Sequence, residues 1–470
     1  MEEASACCRG LFFWMLVEWF KVSERMMNSS TGKKLGSALG VVCVCAILGR
    51  LSSQLFTGDE APRPVEVAPE VPAEAPEVQR RTGPTDDEVL AAERAFAESH
   101  PSHVRWDHLA QTYIDRGRVS GDYRDLALAE DALTRAFALA PEGAGPFLRR
   151  AIFNALMHRI ANVDTDLRAL ESVTLMSAND RDTISALRAD VAFYSGRYDE
   201  ARALYTARLA ERREVASLVA LAQLEWRTGH FDVALPLIEE AAQLDEGLPL
   251  RAWALSVRAL LERDRGQLDA ALQAIREALA VTPGDPHLEQ ISAELLEANG
   301  EDAAALTRFQ SIASRTASPQ AMDGAARLLL RAGDSIAAEE LITAARQSYE
   351  TQIAAFPEAA YGHAIDHWLR LEDDDARAVL IAEGNALARP FGEPRTKLAM
   401  AYVRAARLED AARELDETLA SGWLSADTHA VRAIVADAQG DAARAASERE
   451  EAERIAPGIV SRLAWLAPHP

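Results

Sequence analysis

With 470 residues, the chain has room for two or three ordinary domains or for one long repeat array. Its net charge of −23 repels phosphate backbones, and no Lys/Arg-rich block offers a compensating stripe, so no nucleic-acid partner is expected. The four cysteines (Cys7, Cys8, Cys43, Cys45) all lie near the N-terminus, which rules out a disulfide framework or a Cys-ligated zinc site in the body.

Residues 1–34 read as a cytoplasmic leader. LFFWMLVEWF (11–20) is too short to span a bilayer and is interrupted by Glu18. Two origins stay open for it: an interfacial segment, or sequence upstream of a true start at Met26 or Met27, which leaves 1–25 untranslated. LGSALGVVCVCAILG (35–49) is uncharged and, as a helix, about 22 Å long; extended through residue 56 it reaches about 33 Å, enough for a hydrocarbon core of roughly 30 Å. Residues 35–56 therefore read as a transmembrane anchor, with a cleaved signal sequence as the rival. Lys21, Arg25, Lys33 and Lys34 precede the run, and Asp59 and Glu60 follow it, so the body is expected on the outer side. Abundant Arg, little Lys and a short basic leader suggest a bacterial inner-membrane protein facing the periplasm, or one secreted there after cleavage.

Residues 57–90 form a linker built on APRPVEVAPEVPAEAPEV, whose spaced prolines favour extended polyproline II and whose carboxylates keep it open. From 91 to 457 the chain repeats itself. GRYDEARALY (196–205), GHFDVALPLI (229–238) and GQLDAALQAI (266–275) share one arrangement: glycine, a bulky residue two positions on, an acid, and an alanine five positions after the glycine. Aligned on that alanine, the units fall at Ala201, Ala234, Ala271, Ala305, Ala338, Ala376, Ala411 and Ala445, in steps of 33 to 38 residues. A period near 35 is that of a solenoid of helix pairs, and about nine to ten units fit.

Helical chemistry accounts for the motif. Gly196, Gly229, Gly266, Gly300, Gly333 and Gly440 end a first helix, because glycine tolerates the left-handed terminus. Tyr198, Phe231 and Leu268 fill the hinge, and Asp199, Asp232 and Asp269 begin the second helix where its dipole favours an acid. Twelve residues before each second-helix alanine stands another small residue: Ala189, Ala222, Ala259, Ala293, Ala326, Ala399, Ala433. Bulky residues follow four positions after it, at Tyr205, Ile238, Ile275, Phe309, Ile342 and Leu415. Trp106, Leu109, Ala110 and Tyr113, then Ala129, Leu133 and Ala136, give a first unit with an insertion around RVSGDYRDL. Two units depart: Asn162 stands for the glycine in 143–180, and Leu371 in 355–390. Residues 458–470 read as a cap whose Leu463, Trp465 and Leu466 either cover the last repeat or dock a partner.

This combination resembles the tetratricopeptide repeat family over about residues 104–457. The resemblance implies a right-handed superhelix of antiparallel helix pairs whose first helices line a concave groove. Residues beside the packing alanines would face it: Asp190, Phe193, Tyr194, Gln223, Trp226, Arg227, Arg263, Asp264, Glu294, Glu297, Arg327 and Arg331. Such a mixture of aromatic and charged groups suits a protein or extended peptide, although Phe193 and Trp226 could equally pack between repeats. Some family members grip a peptide's terminal carboxylate with lysines and asparagines on this face. Here Lys397 is the one lysine of the array, which speaks against that mode.

Catalytic motifs are missing: there is no phosphate-binding glycine loop, dinucleotide fingerprint or nucleophile elbow. HAIDH puts His363 and His367 one helical turn apart but lacks the glutamate of a zinc-protease motif and a third ligand, so both read as packing or surface histidines. His100, His103 and His108 mark the chain's entry into the first repeat. No catalytic residue, metal or cofactor is therefore assigned. The expected function is a membrane-tethered scaffold organising envelope proteins. The alternatives are a holder of unfolded polypeptide or polymer during export, and a cytosolic adaptor.

Overall fold

The computed structural model describes residues 86–120, 123–171 and 176–466. The leader, the apolar run 35–56 and most of the linker lie outside the described residues. Among those described, no helix is long and apolar enough to cross a membrane. Residues from 102 onward cluster as one compact unit, while the helix Asp86–Ser99 belongs to another. That helix begins inside the stretch assigned to the linker; its Arg94 and Glu98 pair at 3.1 Å, and Val89 and Phe96 are exposed.

Within the larger unit the described residues form helices and no strand. Ten helix pairs follow one another at 103–139, 147–170, 178–211, 215–243, 248–281, 286–316, 319–355, 357–388, 392–420 and 426–455. Each helix packs on its chain neighbours, and first helices of successive pairs also touch. The short helix Ile459–Arg462 and a 3₁₀ turn, Ala464–Leu466, close the array, with Leu463 and Leu466 buried in the core of the last repeats. Trp465 packs against that core under the Arg370 guanidinium, so all three apolar residues serve as cap.

The alanine register has a steric cause. Ala189, Ala222, Ala259, Ala293, Ala326 and Ala399 on first helices, and Ala201, Ala234, Ala271, Ala305, Ala338, Ala411 and Ala445 on second helices, have no exposed surface. Only a methyl-sized group lets paired helices approach to about 8 Å. The hinge bonds repeat too: Gly196 N–H donates to Phe193 O at 2.9 Å and Arg197 N–H to Ala192 O at 2.9 Å, closing the helix end with glycine at φ +74°.

Two expectations need correction. In the second pair the left-handed position is held by His158 (φ 60°), not Asn162; the same two bonds run from His158 N–H to Ala155 O and from Arg159 N–H to Asn154 O. In the eighth pair the turn after Arg370 is longer and ends at Asp374, whose carboxylate caps the Arg377 N–H at 2.9 Å. The fully buried alanine of that unit is consequently Ala378, four residues past the cap, and Ala376 is exposed.

The coil then closes on itself. Hinges of the early pairs meet inter-repeat loops five to six pairs later. Arg159 pairs with Glu358, 199 residues on, and the Gly392 N–H donates to the Tyr198 hydroxyl at 2.9 Å across 194 residues. The Leu424 N–H donates to Arg227 O at 3.0 Å, and a Cβ on Gly266 would come within 2.7 Å of the Pro457 ring. An aromatic cluster fills the junction: Phe193, Tyr194 and Tyr198 from the earlier turn against Phe391 and Trp423 from the later one, with ring centroids 5.2 to 6.0 Å apart. Trp423 is 1% exposed and lies over Gly392, where a Cβ would be 2.0 Å from its indole.

Removing that indole should separate the turns. Trp423→Ala is expected to cost about 3–5 kcal/mol, lowering the thermal midpoint, and to raise the radius of gyration in small-angle scattering. An unchanged radius with a lowered midpoint would mean that Trp423 stabilises only its own repeat.

Candidate functional site

The structure distributes the twelve groove candidates unequally. Most are spent on holding the solenoid together. Arg227 reaches Asp264 of the next repeat at 3.4 Å and stacks 4.0 Å from the Trp226 ring; both Trp226 and Arg227 are 2% exposed. Arg263 pairs with Asp264 at 2.9 Å. Arg327 pairs with Glu297 at 2.9 Å, and Arg331 bridges Glu297 and Asp302 at 3.2 and 3.0 Å. Glu294 accepts from Gln290 at 2.8 Å. The Arg227–Asp264, Arg327–Glu297 and Arg331–Glu297 bonds clamp successive first helices, whereas Arg263–Asp264 and Gln290–Glu294 lie within one helix; buried pairs are costly to break, because the surviving partner is left uncompensated.

Asp190 and Gln223 behave differently, and Phe193 and Tyr194, besides packing on Phe391, line the same space. They converge on a cavity of about 20 Å³, enough for one water-sized group. Its wall draws on three successive first helices: Ala186 and Asp190 with the two rings, then Ala216, Ala220 and Gln223, then Trp253; Tyr205 and Arg208 enter from a second helix. Alanine at 186, 216 and 220 leaves the space open. One Asp190 oxygen accepts the Tyr205 hydroxyl at 2.6 Å, and the other takes no hydrogen bond among the described residues. Burial pushes the Asp190 carboxyl up to about 6, against the opposing pulls of the Tyr205 bond and the Arg208 charge. Arg208 is itself committed to Asp182, donating to its carbonyl at 2.7 Å and its carboxylate at 2.9 Å. The cavity thus sets aromatic walls, one amide and a carboxyl whose pKa is raised by burial around a water-sized space.

The family models give the repeat register independently. Residues 187–249 and 219–286, spanning this cavity, match the model described as tetratricopeptide repeat. Residues 187–286 carry tetratricopeptide repeats. Solved structures with similar folds include the human IFIT1 dimer with m7Gppp-AAAA, at 15% identity and TM-score 0.40, covering 80% of this chain and 96% of that one. A tetratricopeptide repeat protein from Parabacteroides merdae matches at 17% identity and TM-score 0.32, covering 55% and 99%. Yeast Tom70 matches at 16% and 0.33, covering 81% and 90%. Among curated proteins, no sequence matches the chain.

The other candidates go into the packing of the tetratricopeptide repeats. His367 is fully enclosed, with Nδ1 2.8 Å from Asp323 and Nε2 3.1 Å from Glu372, and the Tyr349 hydroxyl donates to the same Asp323 at 3.0 Å. No group of three His, Cys, Asp or Glu able to hold a metal occurs among the described residues. Lys397 is buried against Asp366 at 2.5 Å; burial opposes its charge, but the carboxylate wins and holds the ammonium above its usual value. It is thus unavailable to grip a peptide's terminal carboxylate.

Sequence reasoning missed Tyr205 as a cavity residue, having assigned it to packing, and missed Trp253, Ala216 and Arg208 altogether. A signal existed: Ala216 and Trp253 both stand six residues before their packing alanines, Ala222 and Ala259. Only positions after the alanine had been projected onto the groove.

The raised Asp190 pKa carries a stability cost with a definite sign. Between about pH 4 and 6 the folded chain holds a proton that the unfolded chain has lost, so this group lowers stability as pH rises and the penalty is complete above 6. Asp190→Asn, which can still accept from Tyr205, should therefore raise the unfolding midpoint at neutral pH by an amount worth at most about 3 kcal/mol, and make little difference at pH 4. A neutral or lower midpoint at pH 7 would remove the argument that the carboxylate is retained for binding.

Proposed function

We propose that the repeat body is a scaffold that holds a polypeptide along its first helices and anchors it in the Asp190 cavity, without performing chemistry. What carries this reading is the cavity itself. There, side chains of three successive first helices meet around an open space beside Asp190, whereas Arg227, Asp264, Glu297 and Arg327 of the neighbouring groove are tied up in ion pairs. Tetratricopeptide repeats point to protein interaction in general; the cavity supplies a specific place for it. The polar requirement is satisfied by Asp190 and Gln223 and the apolar one by Phe193, Tyr194 and Trp253, a division suited to one anchoring side chain of an extended partner.

The placement of the body rests on sequence alone. Basic residues before the apolar run 35–56 and acidic ones after it support a tether in a bacterial inner membrane, with the charged linker holding the repeats away on the outer side. In that setting the protein would organise envelope proteins.

The test is cross-linking capture by the full chain in cells. Ala220→Trp, which plugs the cavity, should lose a stoichiometric partner that Leu387→Glu, on a side chain 86% exposed elsewhere, retains. Equal capture by both would contradict docking at the cavity, and a crowd of unrelated clients would favour the chain-holding alternative. A topology reporter fused at residue 90 should read as outer-side; a cytoplasmic reading would make the protein an internal adaptor.

A further inference from the structure

Which chemistry the cavity takes can be read from its charge balance. Two of the lining residues are charged, Asp190 and Arg208, and behind them Asp182 and Glu214 take the guanidiniums of Arg208 and Arg212. Both cations have contact partners already: Arg208 on Asp182 at 2.9 Å, Arg212 on Asp182 at 3.1 Å and on Glu214 at 3.2 Å. Among the described residues Asp190 is in no ion pair, feels the Arg208 charge only at longer range, and accepts one hydrogen bond, from the Tyr205 phenol, which leaves one carboxylate oxygen with bonding capacity. The remaining walls are the rings of Phe193, Tyr194 and Trp253, whose π faces attract cations, and the Gln223 amide, whose oxygen accepts. The free Asp190 oxygen and the Gln223 amide oxygen therefore offer two acceptors to a donor carrying positive charge. The size of the space, about that of one water, admits an ammonium head and excludes a ring or a phosphate.

We propose that the cavity is a subsite for the ammonium tip of a lysine side chain in an extended polypeptide lying across the first helices of the third, fourth and fifth pairs. The proposal rests on the docking reading above and adds the chemical class of the anchor. An apolar methylene stem would run past Ala216 and Ala220, and the head would meet Asp190. Binding would neutralise a carboxylate that the fold keeps ionised at a cost, so the ligand would recover that energy. Its dependence on pH follows: Arg208 is the other charged group lining the cavity, with Asp182, Arg212 and Glu214 paired behind it, and Asp190 carries its charge above about 6, so recognition should weaken as pH falls through about 6.

The experiment uses the full chain and two small probes, n-butylammonium and its neutral isostere n-butanol, followed by saturation-transfer NMR. Butylammonium should show saturation where butanol does not. Its affinity should fall about tenfold in Asp190→Asn and on acidification from about pH 7.5 to about pH 5, and should vanish in Ala220→Trp. Circular dichroism melts of both variants establish that they are folded. Equal saturation by the two probes, or an undiminished signal in folded Asp190→Asn, would overturn the cation assignment. If Ala220→Trp abolishes partner capture in cells but butylammonium does not bind, the cation assignment fails and the scaffold stands. If butylammonium binds and no polypeptide is captured, the subsite stands and the scaffold reading fails.

Discussion

One absent side chain lets the coil close. Trp423 occupies the space above Gly392 that a Cβ would fill, and from there its ring reaches Tyr198 of the earlier turn at 6.0 Å. The Gly392 N–H spends its hydrogen bond on that same tyrosine. With Phe391 against Phe193 and Tyr194, the junction seals the hinge edge of the third pair to the loop edge between the eighth and ninth. Helix pairs stacked only on sequence neighbours behave almost as a one-dimensional array, each repeat stabilised by two others. Contacts across 194 residues and more add a second dimension, coupling repeats that would otherwise unfold separately.

That closure governs what surface remains for binding. A groove running along the first helices would present Trp226, Arg227, Arg263 and Asp264. Instead the Arg227 guanidinium lies 5.6 Å from the Trp423 ring and its carbonyl takes the Leu424 N–H, so this part of the groove is already engaged within the chain. At the start of the helix that ends in Trp226 and Arg227, and on the first helix before it, small residues at 216, 220 and 186 keep a gap beside Asp190. The contrast is physical: Arg227, Glu297 and Arg327 each hold an opposite charge in contact, whereas Asp190 holds the Tyr205 hydroxyl and has the nearest guanidinium, Arg208, committed to Asp182. A carboxylate destabilised by its surroundings is a reservoir of binding energy for a cation that completes it.

The repeat architecture was legible in the sequence because it is written in small residues at fixed spacing. Ala201, Ala234 and Ala271 are irreplaceable by bulk, and a glycine at a left-handed hinge announces itself. Where the hinge uses His158 or Ala406, the backbone is the same but the signal is gone, because the bonds are made by main-chain atoms that any residue supplies. Ala376 was misassigned for the opposite reason: a longer turn shifted the register, and alanines are frequent enough to supply a false match. The cavity was half legible. Asp190, Phe193, Tyr194 and Gln223 follow from the repeat register, but nothing local distinguishes them from Trp226 and Arg227. For Arg227 the difference depends on Trp423 and Leu424, some two hundred residues away, and no periodicity of 35 encodes that offset.

The closure can be tested by a covalent bridge, since the repeats contain no cysteine of their own. A Cβ built on Gly229 stands 3.3 Å from the Leu424 Cβ, close to the roughly 3.5–4.5 Å that a disulfide spans. The measurement is non-reducing electrophoresis of a chain carrying Gly229→Cys and Leu424→Cys, with Cys7, Cys8, Cys43 and Cys45 changed to serine. A closed coil predicts rapid, near-complete oxidation to a faster-migrating monomer, even with the cost of about 1 kcal/mol for a side chain at this left-handed position. A chain that stays reduced, or that oxidises only between molecules, would show that the two turns do not meet.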